Sequence, residues 1–108
     1  DLRRYDLNLL VVLETLLDEG SVTAAARRLN LSQSAVSAAL DRLRAMFSDP
    51  LLVRVGNGMQ PTPLARSLQG PIKTALASVS LALALPQRFD PARARVNIRL
   101  GITDYVGL

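Results

Sequence analysis

The chain has 108 residues, enough for one compact domain or one domain plus a piece of another, and 49% of them are hydrophobic, which suffices for a core. It has no Cys and no His, so disulfides, thiolate metal sites and imidazole catalysis are excluded. Only Asp, Glu, Lys, Ser, Thr and Tyr remain for catalysis, and no pairing of them looks like a site. The net charge is +4, and 12 of the 13 basic residues are Arg, the better bidentate partner for phosphate and guanine.

Charge is unevenly spread. Residues 1–20 carry −3, residues 21–66 carry +4 from six Arg against two Asp, and residues 67–108 carry +3. The basic middle segment points to nucleic acid, the alternative being a solvated basic face. No apolar run approaches the roughly 20 residues of a membrane span. No secretory or transit signal is visible, and the chain starts at Asp1 without Met.

A first helix is expected from Asp6 to Leu17, with Asp6 as its cap. Leu9, Leu10, Val12, Leu13, Leu16 and Leu17 form a face broad enough for more than one packing partner. Gly20 suits the position just past its end. Ser21 caps a second helix that closes at Leu29, with Ala25, Ala26 and Leu29 on one face. Asn30, which tolerates positive φ, makes the turn. Ser32 caps a third helix from Gln33 to about Phe47, whose Val36, Leu40, Leu43 and Phe47 recur at helical spacing. Ala26 is small enough for the two helices to cross closely. This is the pattern of a helix-turn-helix, whose second helix enters the major groove of DNA.

Asp49-Pro50 breaks the helical pattern. Leu51–Val55 has strand length, Gly56-Asn57-Gly58 is a turn signal, and Met59 and Gln60 form the return strand. A hairpin directly after a recognition helix is the wing of a winged helix-turn-helix; the alternative is an ordinary hairpin over the core. Leu51 and Val53 are expected to cover that core in either case.

Thr62 caps a further helix with Pro63 at its first position. Leu64, Leu68, Ile72, Ala75, Val79 and Ala82 recur at helical spacing, and Leu76 and Leu83 broaden the stripe. Gly70-Pro71 interrupts it at a cost of about 3 kcal/mol. The apolar period survives the proline, so a continuous, kinked helix of about 20 residues is expected. Its face is too long for the rest of the chain to cover. Self-association through Leu64, Leu68, Ile72, Ala75, Leu76, Val79 and Leu83 is the simplest answer, and packing on the winged domain the alternative. Pro86–Arg95 reads as a linker, and Val96–Thr103 as the first strand of a second domain that is cut off.

The expected fold class is therefore all-α with a small β wing. A winged helix-turn-helix spans 1–61, a linker helix 62–85, a hinge 86–95 and a terminal strand 96–108.

Together the motifs resemble the N-terminal region of LysR-type transcriptional regulators. The resemblance covers about Asp6 to Tyr105. It is carried by Asp6-Leu-Asn-Leu-Leu10, Ser21-Val-Thr-Ala-Ala-Ala26, Leu31-Ser-Gln-Ser-Ala-Val-Ser37, Asp49-Pro-Leu-Leu-Val-Arg54 and Pro61-Thr-Pro63. Phe89-Asp-Pro91 and Thr103-Asp104-Tyr105 resemble the nodulation and aromatic-degradation subgroup. The resemblance implies a bacterial cytoplasmic regulator with a winged helix-turn-helix, a long helix pairing two subunits antiparallel, and an α/β domain that binds a small-molecule inducer. The sequence departs from the family at Ser34, where Pro is frequent, and at Ala38, where a polar or basic residue is common.

Gln33, Ser34, Ser37 and Ala38 lie on the outward side of the third helix. Gln33 is the best base reader, since Gln pairs bidentately with adenine. Thr23, Ser32, Arg54 and Thr62 look like phosphate contacts, and one of Arg27 and Arg28, the latter favoured, joins them. No catalytic residue, cofactor or metal is assigned. The expected partners are double-stranded DNA, a second copy of the chain, and an inducer. Two rivals remain: an enzyme, which a convergent carboxylate pair would revive, and a helical dimerisation or scaffold module that binds no DNA.

Overall fold

A computed structural model describes residues 2–89. The expected linker from residue 90 and the strand at 96–103 lie outside the described residues. After a short 3-10 turn at Leu2–Arg4 come three helices, α1 (Asn8–Glu19), α2 (Val22–Leu29) and α3 (Gln33–Phe47). An antiparallel hairpin of β1 (Leu52–Val55) and β2 (Gly58–Pro61) follows, then one long helix, α4 (Pro63–Phe89).

Local chemistry sets most of these boundaries. α1 starts two residues later than expected, yet Asp6 still serves its first turn: the Asn8 N–H donates to Asp6 Oδ1 at 3.0 Å. Gly20 ends α1 at φ +78°, where its N–H donates to the Leu16 carbonyl at 2.8 Å. Ser21 Oγ accepts the Ala24 N–H and Ser32 Oγ the Ala35 N–H, so both expected N-caps are formed. Asn30 makes the turn between α2 and α3 in the left-handed region, φ +58°.

The three helices bury Leu9, Val12, Leu13 and Leu16 of α1, Ala25 and Ala26 of α2, and Val36, Leu40 and Leu43 of α3. Leu10, Leu17 and Phe47 are only half-buried. Ala26, 3% exposed, is the small residue expected where α2 and α3 cross. Thr15 is the one buried polar residue among those described, and its hydroxyl is satisfied by the Val11 carbonyl at 2.9 Å.

The wing corrects two expectations. Leu51 precedes β1 rather than belonging to it. Leu51 and Leu52 are both buried, whereas Val53 is 38% exposed. The tight turn at Leu51 shifts the in–out alternation by one residue, so Leu52 takes the core place expected for Val53. The hairpin loop is two residues, Gly56-Asn57, because Val55 pairs with Gly58. Of the two loop residues only Gly56 has positive φ, +60°, as a tight turn with Gly first requires.

α4 begins as expected: Thr62 Oγ1 accepts the Ala65 N–H at 3.1 Å and Pro63 is the first helical residue. It continues through Pro71 and runs 27 residues, past the expected end, so 86–89 belong to the helix and not to a hinge. Residues 63–86 are also long and apolar enough, by length and composition, to cross a membrane, contrary to the expectation above. No uninterrupted apolar run exists, but Arg66 and Lys73 are the only charges in that stretch. The chain divides into two compact units at the Ile72–Lys73 boundary. Within the first, Ala65 and Ile72 are buried, at 0% and 7% exposure. Ile72 thus belongs to the winged unit's core, which corrects its assignment to an exposed seam. Within the second, Ala75, Val79 and Leu83 are exposed and Leu76 is half-buried.

Candidate nucleic-acid interface

The exposed side of α3 follows from its buried one. With Val36, Leu40 and Leu43 turned inward, Gln33, Ser34, Ser37 and Ala38 are all exposed. Helical spacing puts Gln33 and Ser37 on one row, with Ser34 and Ala38 on the row beside it. A groove of about 430 Å³ separates α3 from the wing, lined by Ser37, Asp41 and Arg44 on one side and by Leu52, Arg54 and Met59 on the other. Arg54 and Met59 are cross-strand partners, so both face this groove from the same face of the hairpin. The structure therefore brings together Ser37 and Arg54, which are 17 positions apart in the chain.

The first turns of α2 and α3 are the other exposed feature. Each has one N–H satisfied by its serine cap, which leaves further helix N–H groups directed outward. Such ends attract phosphate through the helix dipole. Thr23 is exposed in the first turn of α2. Ser32 and Ser34 hydroxyls lie 3.2 Å apart at the start of α3, so either can donate to the other or outward.

Two expected phosphate contacts are otherwise engaged. Arg28 Nη1 lies 3.2 Å from Glu19 and 3.5 Å from Asp18, both at the end of α1. The tight α1–α2 turn brings those carboxylates back to the end of α2, so Arg28 serves an internal ion pair. Thr62 donates its hydroxyl to Asp49 Oδ2 at 2.6 Å while accepting the Ala65 N–H. Both of these bonds are structural and engage the hydroxyl's one proton.

Ion pairing also refines the charge count. Arg28, Arg42 and Arg44 pair with Glu19, Asp6 and Asp41 respectively. Arg27, Arg54 and Arg66 have no carboxylate partner among the described residues. Arg54 is the one of these three that lines the groove.

Arg44 was not anticipated. From α3 its Nε donates to the Pro50 carbonyl at 2.8 Å and its Nη2 to the Leu52 carbonyl at 2.9 Å, bracing the base of the wing. No sequence spacing marks it, because its partners are backbone carbonyls brought near by the fold.

A helix-turn-helix followed by a hairpin, with an exposed polar row on the second helix and an unpaired arginine across a groove, defines the winged helix-turn-helix class. Comparisons with known proteins agree. The family model of the bacterial regulatory helix-turn-helix proteins, lysR family, matches residues 7–66. Nodulation protein D 2 of Bradyrhizobium elkanii is 45% identical over 101 residues, covering 94% of this chain and 30% of that protein. The HTH-type transcriptional activator NagR of a Ralstonia species is 45% identical over 104 residues, covering 96% of this chain and 35% of that protein. The crystal structure of the probable transcriptional regulator PA0477 from Pseudomonas aeruginosa superposes with TM-score 0.73 at 45% identity, over 76% of this chain and 28% of that one. The DNA-binding domain of BenM, in complex with its benA site 1 DNA, has TM-score 0.71 at 22% identity, over 79% of this chain and 96% of that one, a likeness of fold.

The chain belongs to the lysR family of bacterial regulatory helix-turn-helix proteins. It spans about a third of the length of the curated relatives it matches.

Proposed function

We propose that this chain is the DNA-binding part of a LysR-type transcriptional regulator that binds a dyad operator as a dimer or higher oligomer. In the whole protein, a C-terminal domain beginning near residue 96 would bind a small-molecule effector and control that binding. Such a regulator works in the bacterial cytoplasm, at the nucleoid. The observation that carries the reading is the shared groove: Ser37 of α3 and Arg54 of the wing border one space. An α-helix fits the major groove while a wing beside it reaches the flanking backbone.

In this reading Gln33, Ser34 and Ser37 meet base edges and Ala38 packs against them. Thr23, Ser32 and Arg54 hold phosphates and set the register. The exposed apolar residues Val79 and Leu83, with Leu64, Leu68, Ala75 and Leu76, form the pairing seam. Leu81 and Leu85, at 52% and 44% exposure, extend the apolar surface beyond the residues singled out in the sequence.

A gel shift across a salt series tests the reading. Binding that weakens steeply with salt supports it. Absence of binding at low salt would leave the scaffold module as the better account.

A further inference from the structure

Leu51 is the conformationally strained residue of the wing. Its φ is +64°, a region that a branched L residue rarely occupies. The Leu52 N–H closes a three-residue turn around it onto the Pro50 carbonyl at 2.6 Å. The Leu51 side chain is fully buried, so this turn seats the wing on the core.

Three residues hold the turn. Asp49 Oδ2 accepts the Leu51 N–H at 2.8 Å, and the Thr62 N–H donates to the Leu51 carbonyl at 2.9 Å. Arg44 takes the carbonyls on both sides, Pro50 through Nε and Leu52 through Nη2. Asp49 and Thr62 flank the wing in the chain. Arg44 alone of the three stands on α3, where it shares the groove with Ser37 and Arg54.

We propose that Arg44 is a positioning residue for DNA recognition. By gripping the turn at Leu51 it fixes the wing, and Arg54 with it, relative to Gln33 and Ser37. The inference rests on the DNA-binding reading above. Arg44 acts through the wing: three of its five N–H donors are engaged within the fold, Nε and Nη2 on the two carbonyls and Nη1 on Asp41 at 3.5 Å. The planar fork spans two carbonyls at once. A lysine ammonium is a point donor on a flexible stem and lacks that geometry.

The test is a double-mutant cycle on the whole 108-residue chain. The probe is a duplex of about 30 base pairs that the unmutated chain selects from a randomised pool. Arg44→Ala and Arg54→Ala are each expected to weaken binding about tenfold, and the double variant little more than either alone. Additive losses, about a hundredfold in the double variant, would overturn the inference, since Arg44 would then act independently of the wing. Amide exchange gives a second reading, and Arg44→Lys serves for both if Arg44→Ala does not fold. In Arg44→Lys the amides of Val53 to Gln60 should exchange faster while those of α1 to α3 do not; unchanged wing exchange would overturn the inference. A chain that selects no duplex contradicts the DNA-binding reading itself. A chain that binds DNA and tolerates Arg44→Ala contradicts this inference alone.

Discussion

Thr62 and Asp49, thirteen positions apart, are joined by a hydrogen bond of 2.6 Å from the Thr62 hydroxyl to Asp49 Oδ2. The same carboxylate oxygen accepts the Leu51 N–H, and the same hydroxyl caps α4. One contact thus ties the entry of the wing to the start of the long helix. Thr62→Val should therefore destabilise the winged unit by about 2 kcal/mol, since it removes an N-cap and a bond to a charged group. Thr62→Ser should retain most of that stability. Thermal or urea unfolding checks this. A Thr62→Val chain that unfolds like its parent, but binds DNA with a lower salt slope, would return Thr62 to the phosphate role the sequence suggested.

Gln33→Ala should cost about 1–3 kcal/mol on a selected operator and little on random DNA. Gln33 is exposed one residue after the Ser32 cap, and its side chain is free to reach a base edge. Competition binding with the two DNAs measures the difference. Equal losses on both would make Gln33 a backbone contact.

Arg54→Ala should weaken specific and non-specific binding alike and lower the salt slope by about 1. Its guanidinium has no carboxylate partner among the described residues, so its charge is available to DNA. Titrations at several salt concentrations give the slope; an unchanged slope would exclude a phosphate contact.

Val36→Asp should unfold the helix-turn-helix, because Val36 is 0% exposed and the substitution buries an unpaired carboxylate. Circular dichroism on heating checks it. Cooperative melting at the parent's temperature would contradict the packing described.

What the sequence made legible was mostly local. The caps at Ser21, Ser32 and Thr62 each act three residues away, and Gly20 and Asn30 carry their own backbone preference. The buried stripe of α3 is visible because it repeats at the helical period. Contacts made by tertiary approach were hidden. Arg28 meets Asp18 and Glu19 because α1 ends where α2 turns back, and Arg42 meets Asp6 across 36 positions. The phase of β1 is hidden in the sequence because nothing in Pro50-Leu51-Leu52 announces a left-handed leucine. Pro86 is a linker signal by composition, yet the helix extends through it to Phe89. The exposed row on α3 was legible. Which of the arginines near it remain unpaired was not.

A pairing seam of the kind proposed would lie outside the core of the winged unit. Ile72, at 7% exposure, would disturb that core if changed, whereas Val79 and Leu83 are 53% and 68% exposed. Val79→Glu with Leu83→Glu should yield monomers, leave the helix-turn-helix folded and abolish high-affinity binding to a two-half-site operator. Sedimentation of parent and variant reads this directly. A parent chain that is monomeric at tens of micromolar would contradict the seam.

The most direct test of the central claim, that the α3–wing face binds DNA, is a fluorescence-anisotropy titration of the unmutated chain with labelled duplex across a salt series. The account predicts saturable binding whose log affinity falls linearly with log salt, at a slope of several phosphates, roughly 0.9 per contact. Binding insensitive to salt, or no binding at low salt, would contradict it.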